Sequence, residues 1–207
     1  MHRSFGISIF MSGSLRLQQQ IQFIKEIDKL KTILRQTQIM NGSRQENSAE
    51  HSWHFALSLL LLAEYSSQEI DLLKSLKMAI IHDLVEIYAG DTFVYDEKAQ
   101  QQKLELEKAA ANKLFALLPE DQSLPLHELW LEYEEQLSPE SQFAQAVDRL
   151  LPILCNLENK GFSWRKHQVT LEQVLAKNEK WKNAAPVLHA YLSQLLFQAQ
   201  DRGFFKY

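Results

Sequence analysis

His82 and Asp83 stand side by side in the apolar run Ile80-Ile81-His82-Asp83-Leu84-Val85-Glu86, where the spacing predicts a buried helix. An imidazole and a carboxylate taken out of water need compensation, and a divalent cation is the simplest kind. Two more residues qualify as donors to the same ion. His51 falls in the first turn of a helix that opens at Asn47 or Ser48, and Asp148 lies beside the apolar stripe Ala144, Val147, Leu151 and Leu154. Imidazole with carboxylate oxygen suits one divalent ion of the Mn, Co, Zn, Mg or Fe kind rather than a soft metal. Taken singly, His82 reads as a satisfied core histidine and Asp148 as a carboxylate paired with Arg149. Together the four describe a centre built between facing helices.

The elements that must position them are helical. Apolar residues recur at spacings of three and four almost throughout, and bounded period-two alternation is nearly absent, so the expected fold class is all-α, a single-domain helical bundle. The expected helices run from Gln18 to Gln36, from Asn47 or Ser48 to Tyr65, and from Glu69 to Tyr88, the last carrying His82, Asp83 and Glu86. Asn47 and Glu50 have capping-box spacing, and Asn41-Gly42-Ser43 breaks the chain before them. Further helices are expected from Glu97 to Leu118, from Leu126 to Gln136, from Pro139 behind the cap Ser138, from Thr170 to Asn178 and from Pro186 to Asp201. The last two carry no evident chemistry and are expected to complete the core. Residues 1–17 read as an N-terminal extension and 18–207 as the domain.

Composition excludes several classes. At 207 residues the chain builds one substantial core, and 45% hydrophobic with 23% charged residues is a globular profile. Net charge is −4 with no basic cluster, so a nucleic acid polymer is not an expected partner. The apolar patch Phe5 to Met11 and the run Leu59 to Leu62 are too short to span a bilayer, so no membrane association is expected. The single cysteine, Cys155, sits in an apolar pattern, as a buried thiol in a reducing cytoplasmic compartment would. No Gly-rich phosphate loop, Cys-x-x-Cys pair or Gly-x-Ser-x-Gly elbow is present. Trp53, Trp130, Trp164 and Trp181 read as core or interface residues rather than base-stacking platforms, with the lining of a pocket left open to one of them. Leu188, Tyr191, Leu192, Leu195 and Phe197 offer apolar surface that either a homodimer or internal packing would use.

Three ordered segments carry a family likeness: Arg44-Gln45-Glu46-Asn47-Ser48-Ala49-Glu50-His51, then Ile81-His82-Asp83-Leu84-Val85-Glu86-Ile87-Tyr88-Ala89-Gly90-Asp91, then Ala146-Val147-Asp148-Arg149. The chain resembles the HD-domain metal-dependent phosphohydrolase superfamily, more narrowly its branch of bacterial 5′-deoxynucleotidases. The resemblance covers roughly Leu30 to Asn156. It implies that His51, His82, Asp83 and Asp148 bind one divalent metal, and that Glu86 and Asp91 lie at the active site, Asp91 orienting or deprotonating the attacking water. Helical spacing also puts Glu86 on the face of His82.

The activity implied is hydrolysis of a phosphomonoester, a nucleoside 5′-monophosphate above all. Transition-state charge on the phosphoryl oxygens then calls for cations besides the metal, and Arg35 and Arg44 are the candidates. The family often carries an Arg followed by an aromatic residue at the end of the first helix, which excludes the 2′-hydroxyl. Here Gln36 and Thr37 follow Arg35, a departure that bears on sugar choice. His54 and His127 read as structural or surface residues, and their scarcity favours a mononuclear site. Other phosphate esters or pyrophosphates, a non-catalytic metal- or nucleotide-binding module, and a di-iron oxygenase are the alternatives.

Overall fold

The computed structural model describes residues 4–206, with side chains described for 14–96, 98 and 100–206. The side chains of the Phe5 to Met11 patch lie outside the described residues. Helix α1 (Ser4–Ile27) continues into a 3-10 turn (Asp28–Thr32), and strands β1 (Leu34–Gln38) and β2 (Gln45–Asn47) form an antiparallel hairpin. α1 is continuous across residue 18, and Arg16 on it forms a bidentate pair with Asp121, 2.7 and 2.9 Å. The helix expected from Gln18 to Gln36 therefore stops short, and its last residues are strand. Asn41-Gly42 is the turn signal that explains this, with Gly42 at φ +71°, a conformation that glycine adopts without steric cost.

Helix α2 (Ser48–Leu62) starts where its cap dictates. The Asn47 side chain accepts from Glu50 N, and the Glu50 carboxylate accepts from Asn47 N at 2.8 Å. Helix α3 (Leu72–Ile81) is capped by Asp71 and ends nearly two turns before the expected Tyr88. A 3-10 turn (His82–Val85) and a short helix, α4 (Glu86–Ala89), take over, and Gly90 closes the segment at φ +78°. The cause is distant in sequence: Trp130 Nε1–H donates to the His82 carbonyl at 3.2 Å, so the Glu86 N–H turns instead to Asp83 O.

Helices α5 (Glu97–Phe115) and α6 (Glu120–Glu135) follow, the latter starting directly after Pro119 and accommodating Pro125 in its second turn, six residues earlier than expected. Helix α7 (Pro139–Glu158) has the expected Ser138 cap, reciprocated by Ser141. Helices α8 (Phe162–Lys166), α9 (Leu171–Asn178) and α10 (Pro186–Asp201) complete the chain, α9 capped by Thr170. Leu188, Leu192 and Leu196 of α10 are buried, while Tyr191 and Phe197 are exposed. Among the described residues, no helix is long and apolar enough to cross a membrane.

The architecture is all-α apart from the hairpin, and the core has two parts. Phe55, Met78, Ala79, Val147, Trp164 and Leu192 belong to one. Phe23, Ile81, Leu84, Val85, Leu114 and Trp130 belong to the other. The chain passes from the first to the second between Ala79 and Ile81, so His82 and Asp83 sit at the seam.

Candidate metal centre

His51 is fully buried in the first turn of α2, and its Nε2 lies 2.8 Å from Asp148 Oδ1 on α7. His82 Nε2 lies 3.0 Å from Asp83 Oδ1 and 3.9 Å from the same Asp148 oxygen. One donor atom from each of His51, His82 and Asp83 fits within a 4.8 Å span. Asp148 Oδ2 accepts a hydrogen bond from Tyr133 OH at 3.2 Å, leaving Oδ1 toward the histidines.

The arrangement fits a metal ion. His82 Nδ1–H donates to the Ala79 carbonyl at 2.9 Å, which turns the buried Nε2 toward Asp83 and Asp148 as the ring atom available to a metal. On the far side of His51, Nδ1 faces Glu46 Oε2 at 3.4 Å, a carboxylate behind a histidine of the kind that orients metal ligands. Glu46 was not singled out from the sequence, although it lies inside the first family-like segment. Nor was Ser48, whose Oγ–H donates to Glu86 Oε2 at 2.6 Å.

Electrostatics divide the acids of the site into two groups. Burial disfavours the charged form of His82, yet Asp83 and Asp148 push it up to about 9. Burial likewise opposes ionised Asp83 and Asp148, but His82 and Arg35 hold the first, and His51 the second, well below the usual carboxylate range. Glu86 goes the other way: burial, with the charges of Asp83 and Asp91, raises it well above an ordinary glutamate. Burial and Asp83 also raise Asp91. A divalent cation would relieve this crowding of carboxylates.

His82, Asp83, Glu86, Asp91 and Asp148 all line one cleft that opens to solvent. Arg35 lines it too, but from β1 rather than from the end of a helix. Its Nη1 is 2.6 Å from Asp83 Oδ2 and its Nε is 3.6 Å from Glu46 Oε2. Arg44 is elsewhere: exposed, and bidentate on Glu50 at the start of α2. His54 stacks near Trp53, and His127 packs against Phe115 and Trp130, so neither joins the cluster. Trp130, Trp164 and Trp181 are buried and Trp53 is exposed. Cys155 is buried as expected, which pushes its thiol up to about 12.

The cleft extends beyond the expected residues. Tyr95, Lys103, Glu107, Tyr133, Glu134 and Arg149 line it. The C-terminal helices contribute Trp164, Lys177 and Asn178, so they do more than complete the core. No pattern in the sequence marks Lys103, Glu107, Lys177 and Asn178 for the cleft, because α5 and α9 meet it through tertiary packing, and Glu134, which reads from sequence as part of a solvated face, turns into it.

Known proteins resemble this chain in sequence and in fold. A family model described as HD domain matches residues 27–189. The 5'-deoxynucleotidase HDDC2 of Xenopus laevis is 30% identical over 139 residues, covering 67% of this chain and 68% of that protein. The protein of the same name from Bos taurus is 30% identical over 146 residues, covering 68% and 70%. Among solved structures, a predicted metal-dependent phosphohydrolase from Magnetospirillum magnetotacticum MS-1 superposes with a TM-score of 0.88 at 45% identity, over 93% of this chain and 96% of that one. The PH0347 protein of Pyrococcus horikoshii OT3 gives a TM-score of 0.59 at 27% identity, covering 87% and 98%.

Proposed function

The chain belongs to the HD-domain family, and on that premise we propose that it is a metal-dependent phosphohydrolase that cleaves nucleoside 5′-monophosphates to nucleoside and phosphate. The observation that carries this reading is the convergence of His51, His82 and Asp83 within one 4.8 Å span, with Asp148 beside them, in a cleft also lined by Glu86 and Asp91. The names of the HDDC2 relatives and of the Magnetospirillum structure support the substrate class and the metal.

His51, His82, Asp83 and Asp148 would hold the metal, which supplies Lewis acidity and makes water nucleophilic near neutral pH. Asp91, half-buried at the cleft wall, takes the proton of the attacking water. Glu86 stands beside it, fixed by Ser48 Oγ–H. Arg35 holds Asp83 in place and borders the phosphoryl position. α1 and the rest of the chain act as one domain, since α1 runs unbroken across residue 18 and Arg16 on it pairs with Asp121. The buried free thiol of Cys155 suits the cytoplasm. A homodimer is supported by the exposed row Trp53, Leu57, Leu60 and Leu61 on α2 more than by α10, whose Leu188 and Leu192 are used internally.

The test is phosphate release from ribo- and deoxyribonucleoside 5′-monophosphates by chelator-stripped protein reloaded separately with Mn, Co, Zn, Mg and Fe. Turnover restored by metal in the wild type, and loss of both bound metal and turnover in Asp83→Ala, is the expected result. The ratio of ribo to deoxy rates reads the effect of Gln36 following Arg35. No turnover with any metal, alongside nucleotide binding that raises the melting temperature, would overturn hydrolysis in favour of a binding module.

A further inference from the structure

The cleft is lined by four cationic side chains, Arg35, Lys103, Arg149 and Lys177, and their commitments differ. Arg35 bonds Asp83 through Nη1 at 2.6 Å, and its Nε faces Glu46 Oε2 at 3.6 Å without a hydrogen bond. Lys103 lies between two carboxylates, 3.4 Å from Glu107 and 4.0 Å from Glu134. Arg149, among the described residues, has no carboxylate within 4.0 Å and donates no side-chain hydrogen bond; its charge helps to hold the neighbouring Asp148 carboxyl down, but the close contacts of that carboxylate are with His51 and Tyr133.

Helix geometry aims Arg149 into the cleft. Gln145, Asp148, Arg149, Pro152, Ile153 and Asn156 all line it, at spacings of three and four that make one face of α7. Arg149 is half-buried on that face. Its charge is felt by Lys103 from α5, by Tyr95 and by Tyr133. Arg149 is thus a half-buried guanidinium in a cleft next to another cation, coupled to Asp148 by charge but with no carboxylate among the described residues in contact with its fork. A phosphoryl group matches its fork with two parallel hydrogen bonds.

We propose that Arg149 is the residue that grips the substrate phosphoryl group, from α7 and one position beyond the metal-ligand candidate Asp148. The inference rests on the phosphohydrolase reading. It moves the phosphate contact from the hairpin arginines to α7, where the same helix turn would present a metal ligand and a bidentate cation to one phosphoryl group. Arg149 thereby discriminates a dianionic phosphomonoester from a neutral or singly charged ester.

The test compares wild type, Arg149→Ala and Arg149→Lys in the full chain loaded with metal, using inorganic phosphate as the probe. Calorimetric phosphate affinity should fall on the order of tenfold to a hundredfold in Arg149→Ala, with metal content and melting temperature unchanged. Arg149→Lys should recover part of it, as a point charge without the fork. If the monophosphates are hydrolysed, KM should rise in the same proportion. Unchanged phosphate affinity in Arg149→Ala overturns the proposal. The two readings fail separately: phosphate binding that depends on Arg149 without turnover by the wild type removes the hydrolase reading alone, and turnover with an indifferent Arg149 removes this one alone.

Discussion

Glu107, which lines the cleft and feels the charge of Asp83, supplies a prediction that is read on the metal-stripped protein without substrate. It sits on α5 at 3% exposure, and its Oε2 has no hydrogen-bond partner among the described residues. Burial raises its pKa, Lys103 on its own helix only partly offsets this, and Glu134 from α6 adds to the rise. The carboxyl group ends at about 7 against an ordinary 4.5. A raised acid means that the folded protein binds more protons than the unfolded chain between those two values. Stability therefore falls as pH rises through that window.

At about 1.36 kcal/mol per pKa unit, the full effect is roughly 3 kcal/mol, of which about 2 to 3 is realised between pH 5 and pH 8. Glu107→Gln keeps the shape and removes the ionisation, so the variant should lose that much less stability than wild type over the same interval. The assay is urea unfolding of chelator-stripped wild type and variant at both pH values and constant ionic strength. Titrations common to the two proteins cancel in the double difference. A gap between wild type and variant that is equal at both pH values would refute the burial account of Glu107.

Trp130→Phe removes the donor to the His82 carbonyl inside the core; it should cost on the order of 1 to 3 kcal/mol in denaturant unfolding and weaken metal retention, and intact metal affinity would show that the 3-10 turn stands without it. Gly161→Ala should lower the melting temperature markedly. Gly161 has φ +71°, and a Cβ there would collide with the Phe204 carbonyl and sit 2.9 Å from Phe204 Cβ. A melting temperature equal to that of wild type would mean that the C-terminal segment shifts without penalty. Arg44→Ala should leave KM for a monophosphate within about twofold, since Arg44 pairs with Glu50 away from the cleft; a large rise in KM would return Arg44 to the substrate.

What was legible in the sequence was local or chemically conspicuous. The starts of α2, α7 and α9 follow from Asn47 with Glu50, Ser138 with Pro139, and Thr170, because capping residues act within four positions of themselves. His82 and Asp83 stood out because polar groups in an apolar run demand partners. The end of α3 was not legible, since the group that redirects its hydrogen bonds, Trp130, lies 48 residues away. Arg149 was legible only as a neighbour for Asp148. Its own lack of a carboxylate partner emerges when α7 is packed so that His51 and Tyr133 engage that aspartate.

The hairpin is the element that periodicity did not announce, since Leu34-Arg35-Gln36-Thr37-Gln38 has no alternating apolar pattern. Its value to the site follows from what helices cannot do there. The ligand candidates come from α2, the 3-10 turn and α7, and these leave the back of His51 and one side of Asp83 facing the chain that leads into α2. A charge of the right sign is needed at each: an acid behind His51 Nδ1 and a cation beside Asp83. A tight Asn-Gly turn returns the chain within a few residues, so Arg35 on β1 and Glu46 on β2 arrive together, 3.6 Å apart. Glu46 meets His51 and Arg35 meets Asp83. Removing either partner of such a buried pair leaves a stranded charge that costs roughly 3 to 5 kcal/mol. Arg35 is thus held to the frame of the metal centre by its Nη1 bond to Asp83 and by the nearby charge of Glu46, whereas the guanidinium of Arg149 on α7 has no carboxylate within 4.0 Å among the described residues. That is why Arg149 matters to the chemistry of the cleft.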